Sequence, residues 1–211
     1  MGAKAGVRPT GRYQDNPRRR RPIRRSGRTQ ARPYAHTAAQ PRKQGRGTIH
    51  ILPAEYARAL FLAEQTDTSD DAIDALVAAR LRRRAIFDRP DPPDVVVVLD
   101  EAVLHRLIGS PQVMHDALVY VAELSRRPCI VVQVIPASNG ANAGLGGAFY
   151  IAAADGMAET LQLDGVEEQT TEKRALVRKA AVAFDRVRGD ALPRDASRDL
   201  VLKVADEQWK P

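Results

Sequence analysis

The sequence predicts an α+β fold, in which helices pack on a small mixed sheet and a disordered basic tail precedes them. Apolar residues at helical spacing alternate with short β-branched runs, and this alternation indicates both kinds of element. Composition also changes near residue 48, where an arginine- and proline-rich stretch gives way to ordinary globular sequence. We therefore expect a disordered tail at residues 1–48 and one folded domain at residues 49–211.

Residues 1–48 lack the apolar side chains that a core requires. They contain no leucine, and fourteen basic residues accompany a single acid, Asp15, so their net charge is +13. Such a segment buries too little apolar surface to offset its ordering entropy. Residues 49–211 carry 19 basic and 25 acidic residues, a net charge of −6. The body therefore has no domain-wide basic surface for nucleic acid.

The basic tail admits two interpretations. As a functional arm it would contact nucleic-acid phosphates weakly and without sequence preference. The arginines expected to make these contacts are Arg18, Arg19, Arg20, Arg21, Arg24 and Arg25. Alternatively, the tail is a solvated extension, or upstream sequence included by a misassigned start codon.

Several classes of protein are excluded by the sequence. No apolar run approaches the roughly 20 residues that a membrane span needs, and no secretory signal follows the N-terminal arginines. Cys129 is the only cysteine, and we interpret it as a small core residue. No histidine, cysteine or acid spacing is typical of a metal site, so no metal or cofactor is expected. The expected location is the cytoplasm.

Two helices are expected to begin the body. Apolar residues at near-helical spacing predict helices over Ala54–Glu64 and Asp70–Phe87. The segment TDTSDD supplies N-cap candidates and early acids for the second helix, and arginines crowd its last turns, where cations suit the helix dipole. The prolines of DRPDPPD end it, because proline disfavours a helical predecessor.

A strand, a helix and a second strand follow. The run Val95–Leu99 is apolar and mostly β-branched, which is typical of a strand covered on both faces. A short helix is expected over Glu101–Leu107. Ser110 as N-cap and Pro111 at the first helical position then begin the clearest helix. Ile130–Ile135 is the second buried strand.

The last third of the body combines a hairpin with two helices. The glycine- and asparagine-rich segment PASNGANAGLGG lacks the lysine of a Walker loop and precedes a strand, so we interpret it as a connection. The segments AFYIAAA and AETLQL predict a hairpin. Helices over 167–189 and 194–208 complete the expected order α-α-β-α-β-β-β-α-α.

Five segments of the body occur in a characteristic order: PAEYARALF, VAARLRRRAIFDRPDPP, VVLDEAVLHRLIGSPQVMHDALVYVAELSRRPCIVVQVIP, GANAGLGGAF and FDRVRGDALPRDASRDLV. Together they resemble the C-terminal domain of unknown function of actinobacterial helix-turn-helix regulators of the antitoxin-like, xenobiotic-response-element type. The resemblance implies a regulatory module that binds a small molecule or a small partner protein. Residues 1–48 are too short and too rich in proline and arginine to supply that family's helix-turn-helix.

A more distant resemblance is to a bacterial Pictet–Spengler cyclase of β-carboline biosynthesis, which is a homodimer acting on tryptophan and an aldehyde. It implies Glu101 as general acid/base catalyst and a homodimeric assembly. One carboxylate can serve both proton transfers of such a ring closure. Aromatic residues are few, and Trp209 is expected at a frayed end, which disfavours an indole-binding cage.

Asp100 and Glu101 end the first predicted strand and admit two interpretations. As structure, Asp100 caps the next helix, and Glu101 in its first turn gains about 0.3–1 kcal/mol from the helix dipole. As a site, Glu101 projects from the carboxyl end of a buried strand, where ligands often bind in α/β architectures.

Arg80 and Arg83 match arginines typical of the regulator family, and with Asp100 they form the expected ligand-binding set. Arginine forks bind carboxylates and phosphates with two hydrogen bonds. Alternatively Arg80, which falls on the apolar stripe of its helix, makes a buried pair with Glu101 or Asp100. A third interpretation is a helix end with solvated arginines.

Overall fold

Six strands in the described part of the chain form one mixed sheet. The computed structural model describes residues 34–39, as backbone alone, and residues 52–64, 68–153, 158–163 and 169–210. The strands are β1 (Tyr34–Ala39), β2 (Asp94–Asp100), β3 (Ile130–Ile135), β4 (Phe149–Ala153), β5 (Thr160–Leu163) and β6 (Gln169–Thr171). Their spatial order is β3-β2-β1-β4-β5-β6. The β1–β2 and β2–β3 pairs are parallel and the other pairs are antiparallel, which confirms the predicted small mixed sheet.

Helices pack on this sheet, as an α+β fold requires. They are α1 (Ala54–Glu64), α2 (Asp70–Arg84), α3 (Pro111–Leu124), α4 (Arg174–Asp190) and α5 (Arg194–Val204). A π-helical turn, Ala205–Trp209, extends α5. The predicted cap of α3 is confirmed, because Ser110 Oγ accepts a hydrogen bond from the Val113 N–H at 3.3 Å and Pro111 follows it. No described helix is long and apolar enough to cross a membrane.

Strand β2 separates two apolar cores. Val95, Val97 and Leu99 lie in a core shared with α1, α3 and α5, whereas Val98 lies in a core beneath α4. Alternate side chains of a strand point to opposite faces, so burial of neighbouring valines requires cover on both sides. Val97 and Val98 each retain only 1% exposure. The prediction of a strand covered on both faces is confirmed.

The boundary predicted at residue 48 needs correction, because the sheet begins at Tyr34. Residues 34–39, which the sequence analysis assigned to the tail, form β1 between β2 and β4. Pairing on both edges satisfies the backbone of this segment. Its sequence, YAHTAA, lacks the β-branched run that marks β2, so strand propensity does not reveal it. The six tail arginines predicted to contact nucleic acid lie outside the described residues.

Several helix boundaries also differ from the predicted ones. The helix predicted over 167–189 begins at Arg174, and β6 precedes it, paired with β5. Two consecutive threonines in β6 favour a strand. Helix α2 ends at Arg84 and tightens into a 3-10 turn over Ala85–Asp88. The helix predicted over Glu101–Leu107 is a single 3-10 turn, Glu101–Val103.

The connection between α4 and α5 covers the outer edge of β3. The Leu192 N–H donates to the Val134 carbonyl at 2.8 Å. Ser197 Oγ accepts from the Val134 N–H at 3.0 Å and donates to the Leu192 carbonyl at 3.1 Å. Ser197 is fully buried. Because Leu192 and Ser197 together bind the N–H and the carbonyl of Val134, they replace the hydrogen bonds that a further strand would make at this edge.

We expect Ser197→Ala to lower the free energy of unfolding by about 1–3 kcal/mol, because the buried Val134 N–H loses its acceptor. Urea denaturation measures this loss. Ser138→Ala, at an exposed position after β3, is the matched control and is expected within about 0.5 kcal/mol of the unmutated protein. Equal stabilities of the two variants would contradict the role given to Ser197.

Candidate functional site

The carboxyl ends of β2 and β3 lie side by side, because the two strands are parallel and Asp100 aligns with Ile135. Strand β2 continues into the turn that begins at Glu101, and β3 continues through Pro136 into a 3-10 turn over Ala137–Asn139. Such an edge is a frequent ligand position in α/β architectures. Glu101 therefore lies where the sequence analysis expected a site.

Asp100 caps the turn after β2. Its Oδ1 accepts a hydrogen bond from the Ala102 N–H at 3.0 Å, and its backbone is extended. This is the geometry of an N-cap residue. The capping interpretation of Asp100 is confirmed, and its role in ligand binding stays a prediction.

Glu101 joins the two strand ends. Its Oε2 accepts a hydrogen bond from the Ala137 N–H at 2.6 Å, and its Oε1 lies 3.7 Å from His105 Nε2. The Glu101 side chain retains 20% exposure and that of His105 retains 43%. Hydrogen bonds to a charged acceptor are about twice as strong as neutral ones. Glu101 therefore holds the loop after β3 against the turn after β2.

Gln208 orients the imidazole of His105. The Gln208 amide nitrogen donates to the His105 carbonyl at 3.4 Å, which places the amide oxygen against His105 Nδ1. Because an amide oxygen only accepts, this hydrogen-bond pattern assigns the proton to Nδ1 and leaves Nε2 facing Glu101. Glu101 Oε1 and His105 Nε2 lie 3.7 Å apart, which is longer than a hydrogen bond, so these two side chains are neighbours without a direct hydrogen bond.

Trp209 anchors the segment that supplies Gln208. Its indole Nε1–H donates to the Leu104 carbonyl at 2.8 Å, and its ring is buried in the core shared with α3. A buried indole usually finds such a partner. The expectation that Trp209 lies at a frayed end is therefore wrong. The sequence analysis also missed the link between His105 and Gln208, which lie 103 positions apart.

Arg80 is buried, as its place on the apolar stripe of α2 predicts. Its guanidinium carbon lies 4.7 Å from the centre of the Phe61 ring, a cation–π distance. Asp100 and Glu101 make the contacts given above, and a pairing of Arg80 with either carboxylate stays a prediction. Arg83 is exposed near the end of α2. Ligand binding by Arg80 and Arg83 stays a prediction.

A cavity of about 690 Å³ lies at the first turns of α4, beside the residues that flank β5 and β6. Its lining combines two glutamates and two arginines with small apolar side chains: Ala158, Glu159, Glu172, Arg174, Ala175, Val177, Arg178 and Ala181. Within the described ranges, none of the site residues predicted from the sequence lines this cavity. Its only sequence signal is a pair of arginines four positions apart on a helix, a pattern that is common on solvated helices.

The remaining surfaces of the described residues offer no metal centre. Within these ranges, no group of three or more histidine, cysteine, aspartate or glutamate side chains is arranged to hold an ion.

A family model described as a domain of unknown function (DUF5753) matches residues 53–203. The matched range runs from the residue before α1 almost to the end of α5, and it includes both the Glu101 edge and the cavity. No curated protein and no solved structure matches the chain.

We expect Glu101→Ala to lower the free energy of unfolding by about 1–2 kcal/mol, because the Ala137 N–H loses its charged acceptor at a partly exposed position. Glu101→Gln is the matched control, since its amide oxygen can still accept that hydrogen bond, and a smaller loss is expected. Urea denaturation compares the two. A loss from Glu101→Gln as large as that from Glu101→Ala would show that the hydrogen bond to Ala137 does not join the strand ends.

Proposed function

We propose that this chain, which belongs to the DUF5753 family of domains of unknown function, is a regulatory module that binds a small molecule without transforming it. The observation that carries the proposal is the cavity beside α4. Its volume of about 690 Å³ falls within the range of about 300–1,000 Å³ that is usual for ligand pockets. Its apolar lining with a few charged groups is also typical of such pockets.

The contacts of Glu101 favour binding over catalysis. One of its oxygens is held by the Ala137 N–H, the other faces His105, and neither lines the cavity. A general acid must reach the proton that it transfers. A cyclase that uses Glu101 stays a prediction, and it would need a substrate to bind at the strand ends.

The position of α4 supports a regulatory role. Its first turns line the cavity, and its last turns adjoin the closed edge of β3, where Arg188 contacts Gln133 at 3.3 Å. One continuous helix of 17 residues therefore connects the two places. A ligand that displaces α4 would also move the connection that carries Leu192. Ligand binding would then alter the hydrogen bonds of this connection to the outer edge of β3. The resemblance to the C-terminal domains of transcriptional regulators agrees with such a role.

We expect a thermal-shift screen of the full chain with small polar compounds to yield ligands that raise Tm in a concentration-dependent manner. A ligand at 100 times its Kd stabilises the protein by about 2.7 kcal/mol, which corresponds to a Tm rise of several degrees. Ala175→Trp, at an exposed position in the cavity wall, should abolish the shift.

Ala196→Trp is the matched control, because Ala196 is an exposed residue of α5 outside the cavity lining, and it should keep the shift. Two outcomes contradict the proposal. One is a shift of equal size in both tryptophan variants. The other is conversion of a bound compound into a product, detected by mass spectrometry.

A further inference from the structure

We infer that the cavity beside α4 takes a zwitterion of about dipeptide size, with an oxyanion at one end, an ammonium group at the other and an apolar body between them. This inference rests on the proposed function, because it names the class of ligand for the same cavity. Three features of the lining carry it: two arginines, the carboxylate of Glu172 and an apolar floor.

Arg174 and Arg178 form the part of the lining that suits an oxyanion. They lie four positions apart on α4 and therefore on one face of the helix. Neither makes a hydrogen bond or an ion pair with any residue that the structure describes. Both side chains are exposed, so the repulsion between the two guanidinium groups is weak, and an anion bound between them would relieve it. A carboxylate or a phosphate accepts hydrogen bonds from both forks.

The start of α4 adds to this preference. The helix begins after Lys173 without a side-chain cap, and its first turn contains no acid. The positive end of the helix dipole is therefore not offset by a side chain of that turn. An anion held by Arg174 and Arg178 would lie beside this end and would complement both charges.

Glu172 is the lining residue that suits a cation, whereas Glu159 already has an interaction within the protein. Glu172 precedes Lys173, the residue before α4, and it forms no ion pair within the described ranges. A ligand with only negative charge would face repulsion from these two carboxylates. A ligand that also carries an ammonium group gains attraction from Glu172.

The floor of the cavity is apolar, so it favours a ligand whose middle part is apolar. Val177 is buried, and Ala181 lies one turn further along the same face of α4. The cavity is partly open to solvent, and its volume is sufficient for a small organic ligand. A dipeptide with apolar side chains therefore fits the cavity better than an inorganic anion.

Three probes that share one apolar body test the inference by isothermal titration calorimetry on the full chain. Leucyl-leucine carries both charges, N-acetyl-leucyl-leucine carries only the carboxylate, and leucyl-leucine amide carries only the ammonium group. We expect leucyl-leucine to bind, and each single-charge probe to bind at least about tenfold more weakly, because a charge-assisted contact is lost.

Three charge-neutralising variants assign the two ends. Arg178→Gln should weaken leucyl-leucine and the acetylated probe about tenfold and should not weaken the amide probe, because it removes a cation that repels the ammonium group. Glu172→Gln should weaken leucyl-leucine and the amide probe and should not weaken the acetylated probe, because it removes a carboxylate that repels it. Arg186→Gln removes an exposed arginine of α4 outside the cavity lining, and it should change none of the three affinities.

Equal affinities for the three probes, or an equal effect of Arg186→Gln and Arg178→Gln, would overturn the zwitterion. If no probe binds but another compound gives a thermal shift that Ala175→Trp abolishes, the inference fails and the proposed function stands. If no probe binds and no compound gives such a shift, both fail.

Discussion

Burial of β2 on both faces is the constraint on which the remaining structure depends. Val97 and Val98 point to opposite sides and are both almost inaccessible to solvent, so one layer of cover cannot satisfy the strand. Helices α1, α3 and α5 supply the layer on one side, and α4 supplies the other. Fully burying a valine side chain contributes about 1.5–3 kcal/mol. The placement of α4, and with it the cavity at its first turns, follows from this requirement.

The Glu101 edge and the cavity beside α4 differ in how far the protein itself provides partners for their charged side chains. At the carboxyl ends of β2 and β3, Asp100 caps a turn, Glu101 binds the next loop, and Gln208 holds His105. At the first turns of α4, Arg174 and Arg178 have no partner among the described residues. A ligand can pair with charged side chains that have no partner in the protein. The cavity at the first turns of α4 is therefore the better candidate for binding.

Local signals in the sequence predict much of the fold and little of the site. The β-branched run of β2 and the Ser110 cap are properties of neighbouring residues, and both are confirmed. Strand β1 is held by pairing with strands that are distant in the sequence. Its own composition does not predict this pairing. The burial of Arg80 follows from its helical position, yet its contact with Phe61 depends on how α1 packs on α2. The cavity likewise depends on tertiary packing.

Amide hydrogen exchange along β2 tests the central claim most directly. A strand covered on both faces and paired at both edges should exchange only through global unfolding, so the amides over 95–99 should be among the slowest in the protein. The short strand β6, which pairs within the described residues with β5, should exchange faster. If the amides of β2 exchange as fast as those of β6, β2 does not occupy the middle of two cores, and the placement of α4 and its cavity loses its physical basis.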